Sequence, residues 1–235
     1  MRLREKARKL GQPPRLLVVT AVAAEREAFE RGVASAGPGT LDVTVIEGGV
    51  GMAHAAAVTA AAIHRRSAGD EAILGVISAG IGGGFDVPPG GLALGRRSVA
   101  ADLGAQTPDG FLSLDELGLG SSTVESDVDM LELLGDALPD AAVGSVLTVS
   151  TVTGTADRCA ALRARHPDAV AEAMEGFGVA TAAARVGLPF AEIRAISNPV
   201  GPRDRAGWRI PEALAALERA AAALARTGAA LRQTG

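Results

Sequence analysis

Four residues in this 235-residue chain are of types that do chemistry when brought together: Glu25, Glu175, Arg194 and Asn198. Glu25 closes an apolar run, at a point where a carboxylate can reach a cleft; on position alone, a solvated first-turn Glu beside a helix dipole accounts for it better. Glu175 follows Met174 and opens an alanine-rich segment, in the order apolar, acidic, small. A carboxylate at a helix start can accept two hydrogen bonds from a vicinal diol such as a ribose. Arg194 ends another apolar run, with Ser197 and Asn198 just beyond. An unpaired buried charge is costly, so Arg194 needs an acidic partner, for which Glu25 and Glu175 are candidates. A purely structural ion pair satisfies the same requirement. The run Gly80-Ile81-Gly82-Gly83-Gly84 reads as a tight turn where backbone can approach a ligand closely. It is neither a dinucleotide fingerprint, because Phe85 takes the sixth position, nor a P-loop, because no Gly-Lys-Ser/Thr follows. The segment 199–208 carries Arg203, Arg205 and the only Trp, and could meet an acidic group on a substrate.

The elements that must hold these residues follow from the hydrophobic pattern. The apolar run 16–22, without polar alternation, reads as a buried strand, and 41–47, 72–79, 91–100, 143–149 and 189–196 read as further strands. Helical patterns fall between them, from about 24, at 52–66, 127–138, 157–165 and 175–186, and a closing helix at 211–232 has Pro211 in its first turn. Strands alternating with helices predict an α/β class: a three-layer α/β/α sandwich around a mixed, mostly parallel sheet. The polar, turn-rich stretch 101–125 reads as a loop over a site. Ligands of such sheets bind beyond the carboxyl ends of the strands. Glu25, the turns at 48–54, 78–85 and 149–155, and everything from Arg194 onward occupy those ends.

Composition removes several functions. Lys and Arg number 23 against 27 Asp and Glu, and there is no Tyr. This lacks the basic excess of a nucleic-acid protein and the aromatic platforms of a single-strand binder. One cysteine, Cys159, allows no intramolecular disulfide, and His54, His64 and His166 show no metal-ligand spacing. A reducing, cytoplasmic setting is expected, without a membrane span, since no apolar run reaches about 20 residues. Arg2, Arg4, Lys6, Arg8, Lys9 and Arg15 precede the run 16–24 in the order of a signal peptide. The Pro13–Pro14 break separates most of that charge from the run. Residues 1–14 are therefore expected to form a flexible basic tail, and 15–235 a single domain.

Five segments together resemble the purine nucleoside phosphorylase/nucleosidase superfamily: TAVAAE (20–25), GGVGMAHAA (48–56), VISAGIGGGF (76–85), AMEGFGVA (173–180) and IRAISN (193–198). The similarity is greatest to the nucleosidase branch that includes 5′-methylthioadenosine/S-adenosylhomocysteine nucleosidase. Within that branch, RAISNPVGPRDRAGW and ADLGAQTPDGF point to the members that hydrolyse futalosine in menaquinone biosynthesis. The resemblance implies hydrolysis of an N-ribosidic bond in a homo-oligomer, a dimer as first expectation, with no metal or organic cofactor. Methylthioadenosine hydrolysis and phosphate-dependent cleavage of purine nucleosides are the alternatives. It also implies roles. Glu25 would activate the attacking water, Arg194 would help hold it, Glu175 would bind the ribose diol, and Met174 would lie against the sugar. The Gly80–Ile81 turn would approach the ligand, and the backbone of Val152, Thr153 and Gly154 would meet the purine edge. Arg203 and Arg205 would serve the benzoate carboxylate of futalosine.

Two departures from the branch are informative. Its GSAGG turn has Ser where this chain has Ile81, which removes a polar anion contact and favours water over phosphate. Its RAISD has Asp where this chain has Asn198. A carboxylate suits a 6-aminopurine, whereas an amide can donate to O6 or N7 of a 6-oxopurine. Asn198 thus points to hypoxanthine as leaving group and to electrostatic stabilisation of the departing base rather than its protonation.

Overall fold

The computed structural model describes residues 15–37, 41–68 and 72–232; the expected tail 1–14 lies outside them. Strand β1 (Arg15–Thr20) is buried along almost its whole length. Its two-residue period sorts its side chains into two cores. Leu16 and Val18 join Phe29, Ile77, Leu94 and Leu217 on one face, and Leu17 and Val19 join Ala55, Ile63 and Val179 on the other. Each fully buried Leu or Val contributes about 1.5–3 kcal/mol. The first core is covered by α1 (Ala23–Ser35), α3 (Val128–Ala137) and α6 (Ile210–Arg232), the second by α2 (Met52–Ala68) and α5 (Gly176–Ala184). Sheet and two helical layers make the three-layer arrangement.

The sheet is mixed and mostly parallel. Strand β1 runs parallel to β2 (Asp42–Glu47) and to β3 (Ile73–Gly84), and β3 runs parallel to β10 (Phe190–Pro199). Strand β10 meets β4 (Leu92–Ala100) antiparallel, and β4 continues in parallel through β8 (Ala142–Thr148) to β9 (Ala169–Ala173). Strand β9 then returns antiparallel onto β3 at Gly83 and Gly84. Five strands therefore close on themselves while β1 and β2 extend outward.

Three details differ from the sequence reading. The glycine run 80–84 is the far half of β3, not a turn, and is paired to β10 on one side and to β9 on the other. Strand β9 was not expected, because AVAEA is short and carries a charge. The stretch 101–125 forms a hairpin of β5 (Gly104–Thr107) and β6 (Gly110–Ser113), then β7 (Thr123–Glu125) on the edge of β4. It packs beside α4 (Ala156–Arg165), where the Arg165 guanidinium lies 4.3 Å from the centre of the Phe111 ring. None of its residues lines the cleft described next.

Candidate active site

The ends of β1, β3, β9 and β10 converge on a cleft of about 370 Å³. Glu25 sits in the first turn of α1, 3% exposed, and its carboxylate is held by three backbone donors. Oε2 accepts from the N–H of Ala21 (2.8 Å) and Val22 (3.3 Å), and Oε1 from the N–H of Ile81 (2.8 Å). Burial pushes this carboxyl up, against the Ile81 N–H and the positive charge of Arg194. A carboxylate that still faces the cleft, fixed in position and with a raised proton affinity, has the properties of a general base. Gly80 makes the arrangement possible. A Cβ there would stand 2.7 Å from Glu25 Oε1 and 2.9 Å from Arg194 Nη1.

Glu175, 7% exposed, occupies the residue before α5. Oε1 accepts from the Gly51 N–H (3.2 Å), and Oε2 from the Met174 N–H (3.2 Å) and Arg194 Nη1 (3.5 Å). Arg194 lies beneath the cleft, 1% exposed, and does not line it. Its Nε donates to Glu192 Oε1 (3.0 Å) and its Nη2 to Ser78 Oγ (2.7 Å). Burial works against the guanidinium charge, but Glu192, Glu175 and Glu25 together outweigh it and hold the proton more firmly than usual. Glu192, fully buried two residues before Arg194 on the same strand face, is thus the nearest acidic partner of the arginine. The sequence reading named only Glu25 and Glu175. The i, i+2 spacing of Glu192 and Arg194 within one strand was the signal available.

Asn198 lines the cleft beside a β-bulge at Ser197. The Ser197 hydroxyl donates to Asn198 Oδ1 (2.8 Å), and Asn198 Nδ2 donates to the Pro199 carbonyl (2.9 Å). The amide is therefore held with its NH2 end determined, and one of its two N–H bonds is left over. Ile81, Val152, Thr153, Met174 and Arg203 also line the cleft. Gly80 and Gly154 lie just behind it, the latter accepting the Arg203 backbone N–H (3.2 Å). Arg205 does not line it. Both arginines cluster at Trp208, with guanidinium carbons 5.4 Å (Arg203) and 6.0 Å (Arg205) from the ring centre. Glu172, absent from the sequence reading because β9 was, lines the cleft as well.

These strand ends and this cleft belong with a known class. Residues 13–231 match the phosphorylase superfamily, and the chain belongs to it. Within it, the chain is 51% identical over 218 residues to the futalosine hydrolase of Streptomyces coelicolor, covering 87% of this chain and 92% of that protein. It is 44% identical over 218 residues to the futalosine hydrolase of Acidothermus cellulolyticus, covering 87% of each. Among solved structures, the 5′-methylthioadenosine/S-adenosylhomocysteine nucleosidase of Colwellia psychrerythraea in complex with adenine shares the fold. It matches with a TM-score of 0.74 at 20% identity, over 93% of this chain and 96% of that one.

Proposed function

We propose that this chain is an N-glycosyl hydrolase that cleaves the ribosidic bond of futalosine and releases hypoxanthine. The observation that carries the reading is the meeting of Glu25, Glu175 and Asn198 in one cleft, in a chain half identical to a futalosine hydrolase. Glu175 accepts from the ribose diol through Oε1, which keeps a lone pair beside the Gly51 N–H while Met174 and Arg194 occupy Oε2, and Met174 packs against the sugar. Glu25 takes a proton from water as the water oxygen bonds to C1′. The C1′–N9 bond breaks, and its electron pair leaves with the purine. Positive charge grows on the sugar, as in glycoside cleavage generally, between two carboxylates. Asn198 donates its remaining N–H to the base, where negative charge accumulates. The backbone of Val152 and Thr153 borders the purine, with Gly154 behind them. Arg194, buried under the cleft, acts by fixing Glu175 rather than by touching water. Arg203 is the better placed cation for the benzoate carboxylate, with Arg205 behind it.

The same reading assigns the chain to menaquinone biosynthesis in the cytoplasm, as one catalytic unit over 15–235 and as a homodimer. Among the described residues no helix is long and apolar enough to cross a membrane. The apolar groove between α2 and α5, with Ala56, Ala60, Ile63 and Val186 on its walls, supports self-association, which sedimentation velocity would test.

The deciding experiment is a base-release assay. The protein is incubated with futalosine, methylthioadenosine and inosine, each with and without phosphate, and the purine is identified by chromatography. Hypoxanthine from futalosine, independent of phosphate, is expected. Adenine from methylthioadenosine alone would overturn the futalosine reading, and release that requires phosphate would overturn hydrolysis.

A further inference from the structure

The mechanism above leaves one buried carboxylate of the cleft unused. Glu172, on β9, is 5% exposed. It accepts from both donors of Thr153, the N–H on Oε1 (2.8 Å) and the hydroxyl on Oε2 (2.5 Å). Each oxygen keeps a lone pair. Its place in the sheet is specific. Gly83 of β3 is the register partner of Glu172 on β9 and also of Asn198 on β10. Residues paired across neighbouring strands present their side chains to the same face. The three therefore form a row with an acidic side chain at one end, an amide at the other and a bare glycine between. At one strand spacing each, Glu172 and Asn198 stand about 10 Å apart at the backbone. A Cβ on Gly83 would stand 2.8 Å from Val200 Cγ2 and 3.5 Å from Asn198 Nδ2, so the Val200 side chain covers the glycine beside the amide. All three residues line the cleft.

The row offers an acceptor and a donor on either side of the Val200 side chain, an apolar surface of the cleft against which a flat ring can lie. Hypoxanthine presents acceptors at O6 and N7 and a donor at N1–H; adenine presents a donor at N6 and a lone pair at N1. We infer that Glu172 accepts the N1–H of the purine while Asn198 donates to its O6 or N7, so that the pair selects 6-oxopurines. With adenine the N1 contact fails, because the carboxylate faces the N1 lone pair, and a donation to position 6 fails too, because the amide NH2 faces the 6-amino group; only a donation to N7 would survive, so Glu172 carries the discrimination. Asn198 cannot turn over to escape, because its Oδ1 would then face the Pro199 carbonyl oxygen, which can only accept. Burial pushes the Glu172 carboxyl up against the Thr153 donors, and the proton on N1 is one more donor that favours its ionised form. The inference rests on the futalosine reading and names the residue that enforces its base.

Glu172→Gln tests it, because this variant separates reading the base from holding the 151–154 segment. The Gln oxygen still accepts from the Thr153 N–H, and its amide can donate to Thr153 Oγ1, so the segment stays in place. The face towards N1 changes from acceptor only to one that can donate. The measurement is kcat/KM for futalosine and for its 6-amino analogue, aminodeoxyfutalosine, with both variants. The preference for futalosine should fall about 10- to 100-fold, the worth of a hydrogen bond to a charged group. Glu172→Ala should lose the preference without gaining the amino analogue. Equal losses on both substrates, or an unchanged ratio, would overturn the inference and leave Glu172 as a support for Thr153. Calorimetric binding of free hypoxanthine and adenine keeps this test apart from the futalosine reading. If the native protein fails to cleave futalosine, that reading falls. The inference then stands if hypoxanthine binds more tightly than adenine and Glu172→Gln removes the difference, and falls if the two bases bind alike.

Discussion

Arg194→Met should cost this protein a large share of its stability, and the cost should depend on pH. The guanidinium is the cationic centre of a buried group in which Glu192 is 0% exposed and Glu175 and Glu25 are 7% and 3% exposed. Met fills a similar volume but supplies none of the bonds to Glu192 (3.0 Å), Ser78 (2.7 Å) and Glu175 (3.5 Å). Removing one partner of a buried ion pair costs about 3–5 kcal/mol, because the other charge is left uncompensated. For a domain of this size that is a fall in Tm of about 6–20 °C. The pH dependence follows from the carboxyls. Burial already raises those of Glu25 and Glu192 above the ordinary glutamate value of 4.5, and Arg194 restrains both. Without Arg194 they rise further. A carboxyl raised in the folded state destabilises that state at pH values above its folded pKa, and the penalty is relieved as pH falls through that pKa towards 4.5. The difference between variant and native protein should therefore be largest near pH 8 and clearly smaller near pH 5.5. Urea unfolding at both values measures it. The double variant Arg194→Met, Glu192→Gln should recover part of the loss, since it removes a charge left without its partner. A loss under about 1 kcal/mol at pH 8, below the cost of breaking even one such pair, or an equal loss at both pH values, would refute the argument.

Other expected outcomes are direct. Glu25→Gln should lower kcat by about 10²- to 10⁴-fold, the usual worth of a general base; because both carboxylate oxygens accept from backbone N–H groups, the amide NH2 must face one of those donors, and the variant should also unfold at lower urea than the native protein at pH 8; an unaltered kcat would contradict the role. Asn198→Ala should lower kcat by about 100-fold, as when one donor to a developing anion is lost, with circular dichroism unchanged; an unaltered kcat would end its assigned role. Arg203→Ala should raise KM for futalosine, and Arg205→Ala should do so less, because only Arg203 lines the cleft; unchanged KM in both would remove the arginines from substrate binding.

The amino-acid sequence determined the order of strands and helices, because that order is carried by local patterns: apolar runs such as LLVVT and alanine-rich stretches such as MAHAAAV. It also marked Glu25, Glu175 and Asn198, because strand ends are where an α/β sheet exposes side chains to a ligand. The tertiary structure decided what lies across from what. The glycine run 80–84 reads locally as a turn, yet becomes strand because β9 and β10 supply its hydrogen bonds. Strand β9 has no strong local pattern and exists through pairing with β8 and β3, which is why Glu172 was invisible. Glu192 as the partner of Arg194, Arg205 outside the cleft, and the Glu172–Gly83–Asn198 row are of the same kind. Each depends on contacts between residues far apart in the chain or on which way a side chain faces, and strand register, set by packing of the whole sheet, decides both.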